Sequence, residues 1–217
     1  MTRILIGALS GWKYRERRAR CLATWMADGD SMGVRSVFLL GCPTEAAAEE
    51  IGCHHLALPC PDDYASLPQR TRLFCHWATG AGSREQGAKN WDYLFKCDDD
   101  TYVSIPRLLT YDLAGRDYVG AEWRPGVAYG SGGAGYFLSR KAAAIVADRL
   151  TMPTGAEDLL VGHVLRAAGI PLSIEPRFVP FGSADRRPAR TNDLITCHAC
   201  PAAWQLSHAE MGLCVAR

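Results

Sequence analysis

Three consecutive aspartates, Asp98, Asp99 and Asp100, follow an apolar segment at 91–97 that is typical of a buried strand. Adjacent carboxylates repel one another unless a cation or water offsets their charge. Side chains alternate along extended chain, so Asp98 and Asp100 should share one side. Two carboxylates on one side suit Mg²⁺ or Mn²⁺. We therefore predict a metal site at this strand end, where open α/β sheets bind ligands; the alternative is a solvated acidic turn.

Composition narrows the class of protein. The chain has 217 residues, 48% of them hydrophobic and 22% charged, which suits one globular domain with a sizeable core. A formal net charge of +1 gives no reason to expect nucleic acid as a partner. No segment approaches the roughly 18 consecutive apolar residues of a membrane span. The chain opens on a strand-like segment without a signal peptide, and its nine cysteines are an odd number. We therefore expect mostly reduced thiols in a cytoplasmic protein.

Strand-like and helix-like segments alternate along the chain. This rhythm predicts α/β architecture with a mainly parallel sheet. No internal repeat or linker divides the chain, so we predict a single domain. The predicted strands are 4–9, 34–40, 55–58, 91–97 and 118–121, and the predicted helices are 15–27, 44–50, 67–79, one after Ser104, one from Ser139 to Leu150, and 156–168.

Four further features could act with the acids. The basic segment 13–20 begins a predicted helix and could bind phosphate, or it could be a solvated helix face. The glycine-dense segment 130–135 lets backbone approach a ligand, or it is a tight turn. Glu157 and Asp158 lie in the first turn of a predicted helix, where they could join the acids or complement the helix dipole. His198 is a candidate third metal ligand or a structural histidine.

Together these features resemble glycosyltransferase family 31, the β-1,3-galactosyltransferase and Fringe group. The likeness covers nearly the whole chain, from about residue 4 to 200, and its motifs keep the family's order. It rests first on Arg17 followed by Thr24-Trp25, and on Arg70-Thr71 in the place of a Lys-Thr pair. The segment FKCDDDTYV (95–103) is similar to the family's metal motif, and YGSGGAGYFLS (129–139) is similar to its glycine loop. GAEDLLVG (155–162) is similar to its Glu-Asp segment, and ITCH (195–198) to its terminal histidine segment.

The resemblance implies a GT-A glycosyltransferase fold in one domain, with residues 1–100 binding the nucleotide-sugar and 101–217 binding the acceptor. It implies an inverting, Mn²⁺-dependent (or Mg²⁺-dependent) transfer of a hexose or N-acetylhexosamine. The donor would be a UDP-sugar, with galactose favoured, and the acceptor a glycan hydroxyl, joined through a β-1,3 linkage. A trimmed Golgi enzyme is the alternative to a cytoplasmic one, because animal members carry an N-terminal anchor.

The resemblance also assigns roles to residues. Asp158 matches the position of the catalytic base, with Glu157 as its nearby competitor. The implied metal ligands are Asp98, Asp100 and His198, and the implied donor-binding residues are Arg17, Arg70, Asp98, Asp99, Gly133, Ala134 and Gly135. The chain departs from the pattern at Leu22, where the family has a basic residue.

Two rival classes of function stay open. One is a catalytically degenerate module that binds a UDP-sugar or glycan and transfers nothing. The other is a metal-dependent phosphatase or nucleotidyl enzyme, which also uses paired carboxylates. The products distinguish the three classes, because only a glycosyltransferase releases UDP from a UDP-sugar.

Overall fold

The structure is a computed structural model and describes residues 2–45, 48–80, 90–152, 154–180 and 194–199. A large mixed sheet of eight strands forms the centre of the fold. Its strands are β1 (Ile4–Leu9), β2 (Arg35–Gly41), β3 (Glu49–Ile51), β4 (His55–Leu58), β5 (Tyr93–Asp98), β7 (Tyr118–Gly120), β8 (Tyr136–Ser139) and β9 (Ser173–Ile174). Their order in the sheet is β3-β4-β2-β1-β5-β8-β7-β9. The pairs β4-β2, β2-β1, β1-β5 and β7-β9 are parallel, and the other three pairs are antiparallel.

A second, smaller sheet lies beside the end of β5. It contains β6 (Thr101–Val103), β10 (Phe178–Val179) and β11 (Thr196–His198) in the order β10-β11-β6. Strand β11 runs antiparallel to β6, so that His198 pairs with Thr101. This pairing brings the C-terminal described segment to the aspartates, although about a hundred residues separate them in the chain.

Helices cover both faces of the large sheet because its central strands are apolar on both faces. Along β1, Ile4, Ile6 and Ala8 enter one core, whereas Leu5 and Leu9 enter the other. Helices α1 (Arg15–Ala23), α2 (Trp25–Ser31) and α4 (Ile105–Thr110) contribute to the first core, and α3 (Leu67–Thr79), α5 (Arg140–Arg149) and α6 (Glu157–Ala167) to the second. None of the helices in the described ranges has the length and apolar character to span a bilayer.

Local signals explain several helix boundaries. Pro68 lies in the first turn of α3, and Gly80 ends that helix in the left-handed conformation, with φ 72°. The hydroxyl of Ser139 accepts a hydrogen bond from the Ala142 amide at 3.2 Å, which confirms Ser139 as the N-cap of α5.

Two of the predicted helices were wrong in detail. The predicted helix 15–27 is two helices, because the backbone leaves helical geometry at Thr24 (φ −126°, ψ −110°). The predicted helix 44–50 is contradicted by β3, which begins at Glu49 and pairs antiparallel with β4. The backbone groups along the edge of β4 gain hydrogen-bond partners from β3, and this tertiary pairing outweighs local helix propensity. Glu49 and Glu50 are exposed, as is common on protected edge strands.

Candidate active site

The three aspartates lie where β5 meets β6. Asp98 ends β5 and is half-buried, as is Asp100 in the turn that follows. Asp99 is buried and faces the end of β1, where its carboxylate accepts a hydrogen bond from the Ser10 hydroxyl at 2.7 Å. Burial raises the pKa of the Asp99 carboxyl, and hydrogen bonds from Ser10 and Arg17 partly oppose this. The turn therefore buries Asp99 and leaves Asp98 and Asp100 partly exposed.

His198 joins Asp98 and Asp100 to form a group of three possible metal ligands. Its Nε2 atom lies 3.3 Å from Asp100 Oδ1 and 4.0 Å from Asp98 Oδ2. One ligand atom from each residue falls within 4.8 Å of the other two, and no other such group occurs among the described residues. Carboxylate oxygens are ligands that Mg²⁺ and Mn²⁺ favour, and imidazole is the commonest metal ligand in proteins. The donor set therefore fits a divalent cation.

The electrostatics of Asp100 support this fit. Burial raises the pKa of its carboxyl, but His198 and Arg17 lower it by more, so the pKa lies below its ordinary value. Asp100 is therefore an ionised carboxylate at neutral pH. An ionised carboxylate that is only half-buried is available as a ligand.

The glycine loop, residues 130–135, closes one side of this group. The hydroxyls of Thr101 and Thr196 donate to the carbonyl oxygens of Gly133 at 2.5 Å and Ala134 at 2.6 Å. A Cβ atom on Gly133 would overlap the imidazole ring of His198. Gly135 has φ +89°, and a Cβ there would overlap the Phe95 ring on β5. Glycine is thus required at 133 by the histidine and at 135 by the backbone conformation and the close approach to β5.

Arg17 borders the acids from helix α1. Its Nη1 atom donates to Asp99 Oδ1 at 3.2 Å and to Asp100 Oδ2 at 3.0 Å. The guanidinium also lies over the Tyr14 ring, 4.6 Å from its centroid. The structure therefore places the predicted donor-binding residues Arg17, Asp99 and the glycine loop beside the three possible metal ligands.

Arg70 lies in a different setting. Its buried guanidinium donates to the backbone carbonyl of Ser10 and, at 2.7 Å, to that of Asp63, and it lies 3.5 Å from the Asp62 carboxylate. These contacts tie the loop after β1 to the loop before α3. A direct role of Arg70 in donor binding stays a prediction.

The neighbours Glu157 and Asp158 open helix α6 but point in different directions. Asp158 is half-buried, and its carboxylate accepts hydrogen bonds from the amides of Gly132 at 3.1 Å and Leu159 at 2.9 Å. Glu157 is buried, and it accepts a hydrogen bond from the Tyr136 hydroxyl and one from Lys96 at 3.0 Å. The glycine loop therefore connects Asp158 to the three possible metal ligands.

Sequence reasoning missed the part that Lys96 has in this site. Its ammonium group is buried among Asp98, Glu157 and the carbonyl of Gly132. Burial lowers the pKa of that ammonium, but the two carboxylates raise it by more, so Lys96 is charged. The signal was a lysine between Phe95 and Cys97 in an otherwise apolar strand, because a buried lysine is nearly always paired.

Several solved structures with a similar fold are glycosyltransferases. No protein-family model matches the chain. A glycosyltransferase involved in glycosylation of the major capsid of PBCV-1 matches with TM-score 0.59 at 13% identity, over 97% of this chain and 99% of that one. The galactosyltransferase LgtC, in complex with donor and acceptor sugar analogs, matches with TM-score 0.52 at 13% identity, over 97% and 95%. A mutant of Drosophila β1,4-galactosyltransferase 7 with manganese, UDP-Gal and xylobiose matches with TM-score 0.50 at 12% identity, over 95% and 74%.

The chain has the GT-A glycosyltransferase fold. Within this fold, the group of Asp98, Asp100 and His198 lies at the carboxyl end of β5, and Asp158 lies across the glycine loop from it. Identities of 12–13% carry the fold alone. Function must therefore be argued from this chain's own side chains.

Proposed function

We propose that this protein is a metal-dependent glycosyltransferase of the family 31 type. It transfers a hexose or N-acetylhexosamine, with galactose favoured, from a UDP-sugar to a hydroxyl of a glycan, forming a β-1,3 linkage. The observation that carries the proposal is the group of Asp98, Asp100 and His198 at a strand end of the GT-A fold. One protein of this fold was solved with manganese and UDP-Gal.

The three ligands would hold Mn²⁺, or Mg²⁺ in its place. The bound cation would act as a Lewis acid that offsets the charge of the departing UDP. Arg17 lies within 3.2 Å of both Asp99 and Asp100, so it places a positive charge beside the site that the diphosphate would occupy. Asp98 and Asp99 would take part in donor binding, with Arg70 fixing the loop that follows β1.

The glycine loop would lie against the donor sugar. Gly133 presents backbone without a side chain next to His198, and the small residues Ala134 and Gly135 follow it. Small residues let the backbone approach a ligand closely. Residues 1–100 would then serve mainly the donor, and residues 101–217 the acceptor.

Asp158 would be the catalytic base of an inverting transfer. An inverting reaction needs one carboxylate that takes the proton from the acceptor hydroxyl as this hydroxyl attacks the sugar. Asp158 is half-buried beside the glycine loop, whereas Glu157 is buried and bound to Lys96 and Tyr136. The difference in burial favours Asp158, because the base must reach the hydroxyl.

The test is release of UDP from UDP-galactose, UDP-N-acetylglucosamine and UDP-glucose, each incubated with Mn²⁺ and without acceptor. We expect slow release of UDP from one donor above the others, lost with chelator and with Asp100→Ala. Asp148→Ala is the matched control, because Asp148 is an exposed acid on α5. Release of inorganic phosphate or pyrophosphate would overturn the proposal in favour of a phosphatase or nucleotidyl enzyme. Metal-dependent UDP binding with no release even when glycan acceptors are added would favour a binding module.

A further inference from the structure

Lys96 is a buried cation at the junction of three parts of the site. Its Nζ atom donates to Asp98 Oδ1 at 3.1 Å, to Glu157 Oε2 at 3.0 Å and to the Gly132 carbonyl oxygen at 3.2 Å. These partners belong to the end of β5, the first turn of α6 and the glycine loop. One ammonium group therefore joins the metal-binding strand, the helix of the proposed base and the loop between them.

The ammonium group of Lys96 is buried at an energetic cost. An ammonium group removed from water is costly unless charge and hydrogen bonds compensate it, and an apolar residue would fill the same place at lower cost. The other side chains of β5 around it, Leu94, Phe95 and Cys97, are buried and apolar. Packing alone would therefore not require a charge in this position.

The backbone of Gly132 shows how the contacts reach Asp158. Its carbonyl accepts from Lys96, and its amide donates to Asp158 Oδ2 at 3.1 Å. A Cβ atom at 132 would lie 2.9 Å from both Lys96 Nζ and Glu157 Oε2. The carbonyl oxygen and the amide of Gly132 thus both have hydrogen-bond partners, and the absence of a side chain at 132 lets Lys96 approach.

We propose that Lys96 is a positioning residue that holds Asp158 in a fixed place relative to Asp98, through the backbone of Gly132 and the carboxylate of Glu157. This inference rests on the proposed function. The base and the metal-bound donor must meet at one distance and angle, and a displacement of about 1 Å can cost 10²-fold in rate. Asp98 receives the same ammonium on Oδ1, while its Oδ2 faces His198.

The first experiment is a double-mutant cycle of Lys96→Met and Asp158→Asn. Methionine keeps a long unbranched stem and removes the charge. Lys96→Met should lower kcat roughly 10- to 100-fold, the usual effect of losing a partner that orients an active-site ligand, with a smaller change in KM for the donor. Because Lys96 acts through Asp158, the double variant should lose no more than Asp158→Asn alone. Multiplicative losses would overturn the proposal.

Hydrogen exchange measures the positioning itself. The amides of the segment 130–135 should exchange faster in Lys96→Met than in the wild type, by roughly 10-fold or more, because local opening is no longer opposed by the lysine. Val146→Ala is the control for general destabilisation, since Val146 is a buried residue of α5, which carries none of the site residues. The comparison is made where the two variants lower Tm by the same amount. If the amides of 130–135 then exchanged equally fast in Lys96→Met and Val146→Ala, Lys96 would have only a structural role and the proposal would be overturned.

A second variant guards against misfolding. Lys96→Met leaves Glu157 as an unpaired buried acid, whereas Lys96→Met with Glu157→Gln removes both charges and avoids this penalty. The variant with Lys96→Met and Glu157→Gln should fold, and it should show the same loss in kcat and the same faster exchange as Lys96→Met alone. Wild-type values of kcat and of exchange in this variant would contradict the proposal. Failure of the proposed function is distinguishable, because the wild type would then release no UDP, and the exchange comparison would still decide whether Lys96 holds the loop.

Discussion

At the scale of single residues, the adjacent carboxylates Glu157 and Asp158 lie in different surroundings. Burial raises the pKa of the Glu157 carboxyl, and Lys96 opposes this as its ion-pair partner. Asp158, the next residue, stays half-buried and accepts hydrogen bonds from two backbone amides. Helix geometry separates the two, since consecutive residues lie about 100° apart around a helix. Glu157 is therefore held inside the protein, and Asp158 faces the glycine loop.

Asp158→Asn tests this division at the residue scale. The substitution keeps the shape of the side chain and removes its charge, so transfer should fall roughly 10²–10⁴-fold, the usual contribution of a general base. Affinity for Mn²⁺ and the UDP-sugar should stay within a few-fold, because Asp158 is not among the three possible ligands. Glu157→Gln should cost much less transfer. If Glu157→Gln were inactive and Asp158→Asn still transferred sugar, the assignment of the base would be reversed. If both variants lost donor binding, the first turn of α6 would have a structural role.

His198→Ala tests the third ligand. We expect the Mn²⁺-dependent affinity for UDP to fall less than in Asp100→Ala, because two carboxylates and water can still bind the cation. His76→Ala is a matched control, since His76 lies in the last turn of α3 and outside the group of three. Mn²⁺ titrations followed by calorimetry give the comparison. Identical curves for His198→Ala and the wild type would exclude His198 as a ligand.

At the scale of elements, the glycine loop positions both the histidine and the proposed base. The Thr101 and Thr196 hydroxyls hold its carbonyls from β6 and β11, and its Gly132 amide contacts Asp158. The missing side chain of Gly133 leaves the space that the His198 ring occupies. The loop is therefore a packed part of the site, and the alternative of a simple tight turn does not account for these contacts.

Gly133→Ala should displace the His198 ring, because the added methyl group overlaps it. We expect weaker Mn²⁺ binding, by a factor similar to that of His198→Ala, in a protein that still folds. Gly29→Ala is the matched control, because a Cβ at Gly29 would lie at ordinary distances of 3.5 Å or more from its neighbours. Gly29 lies in helix α2, and alanine has a higher helix propensity than glycine. Unchanged Mn²⁺ affinity in Gly133→Ala would show that the loop and the histidine are independent.

Elements also show what the sequence predicts and what it does not. The predicted bounds of β1, β4 and α3 match the structure because local patterns define them: apolar runs for the strands, and Pro68 with Gly80 for the helix. The strand β3 was missed because its partner β4 stabilises it, and no local pattern contains that pairing. Likewise, the contact between Lys96 and Glu157 spans 61 positions, so only the fold reveals that this lysine is buried and paired.

At the scale of the whole molecule, sheet topology gathers the site. Strands β1 and β5 are parallel neighbours, and this pairing brings Ser10 and α1 to the aspartates. Strand β6 pairs with β11, and this second pairing brings His198 to the same place. Carboxyl ends of parallel strands are where open α/β sheets bind ligands. The acid cluster and the histidine were predicted from residue types and motif order, and the fold supplies their proximity.

The most direct measurement of the central claim is the affinity of the whole protein for UDP, by calorimetry, with Mn²⁺ and with chelator. We predict that UDP binds with Mn²⁺ and that chelator or Asp100→Ala abolishes this binding, while Asp148→Ala behaves as the wild type. In a thermal melt, UDP at 100 times its Kd should then add about 2.7 kcal/mol to the free energy of unfolding, with Mn²⁺ only. Affinity for UDP that is the same with and without chelator would contradict the metal site and the mechanism built on it.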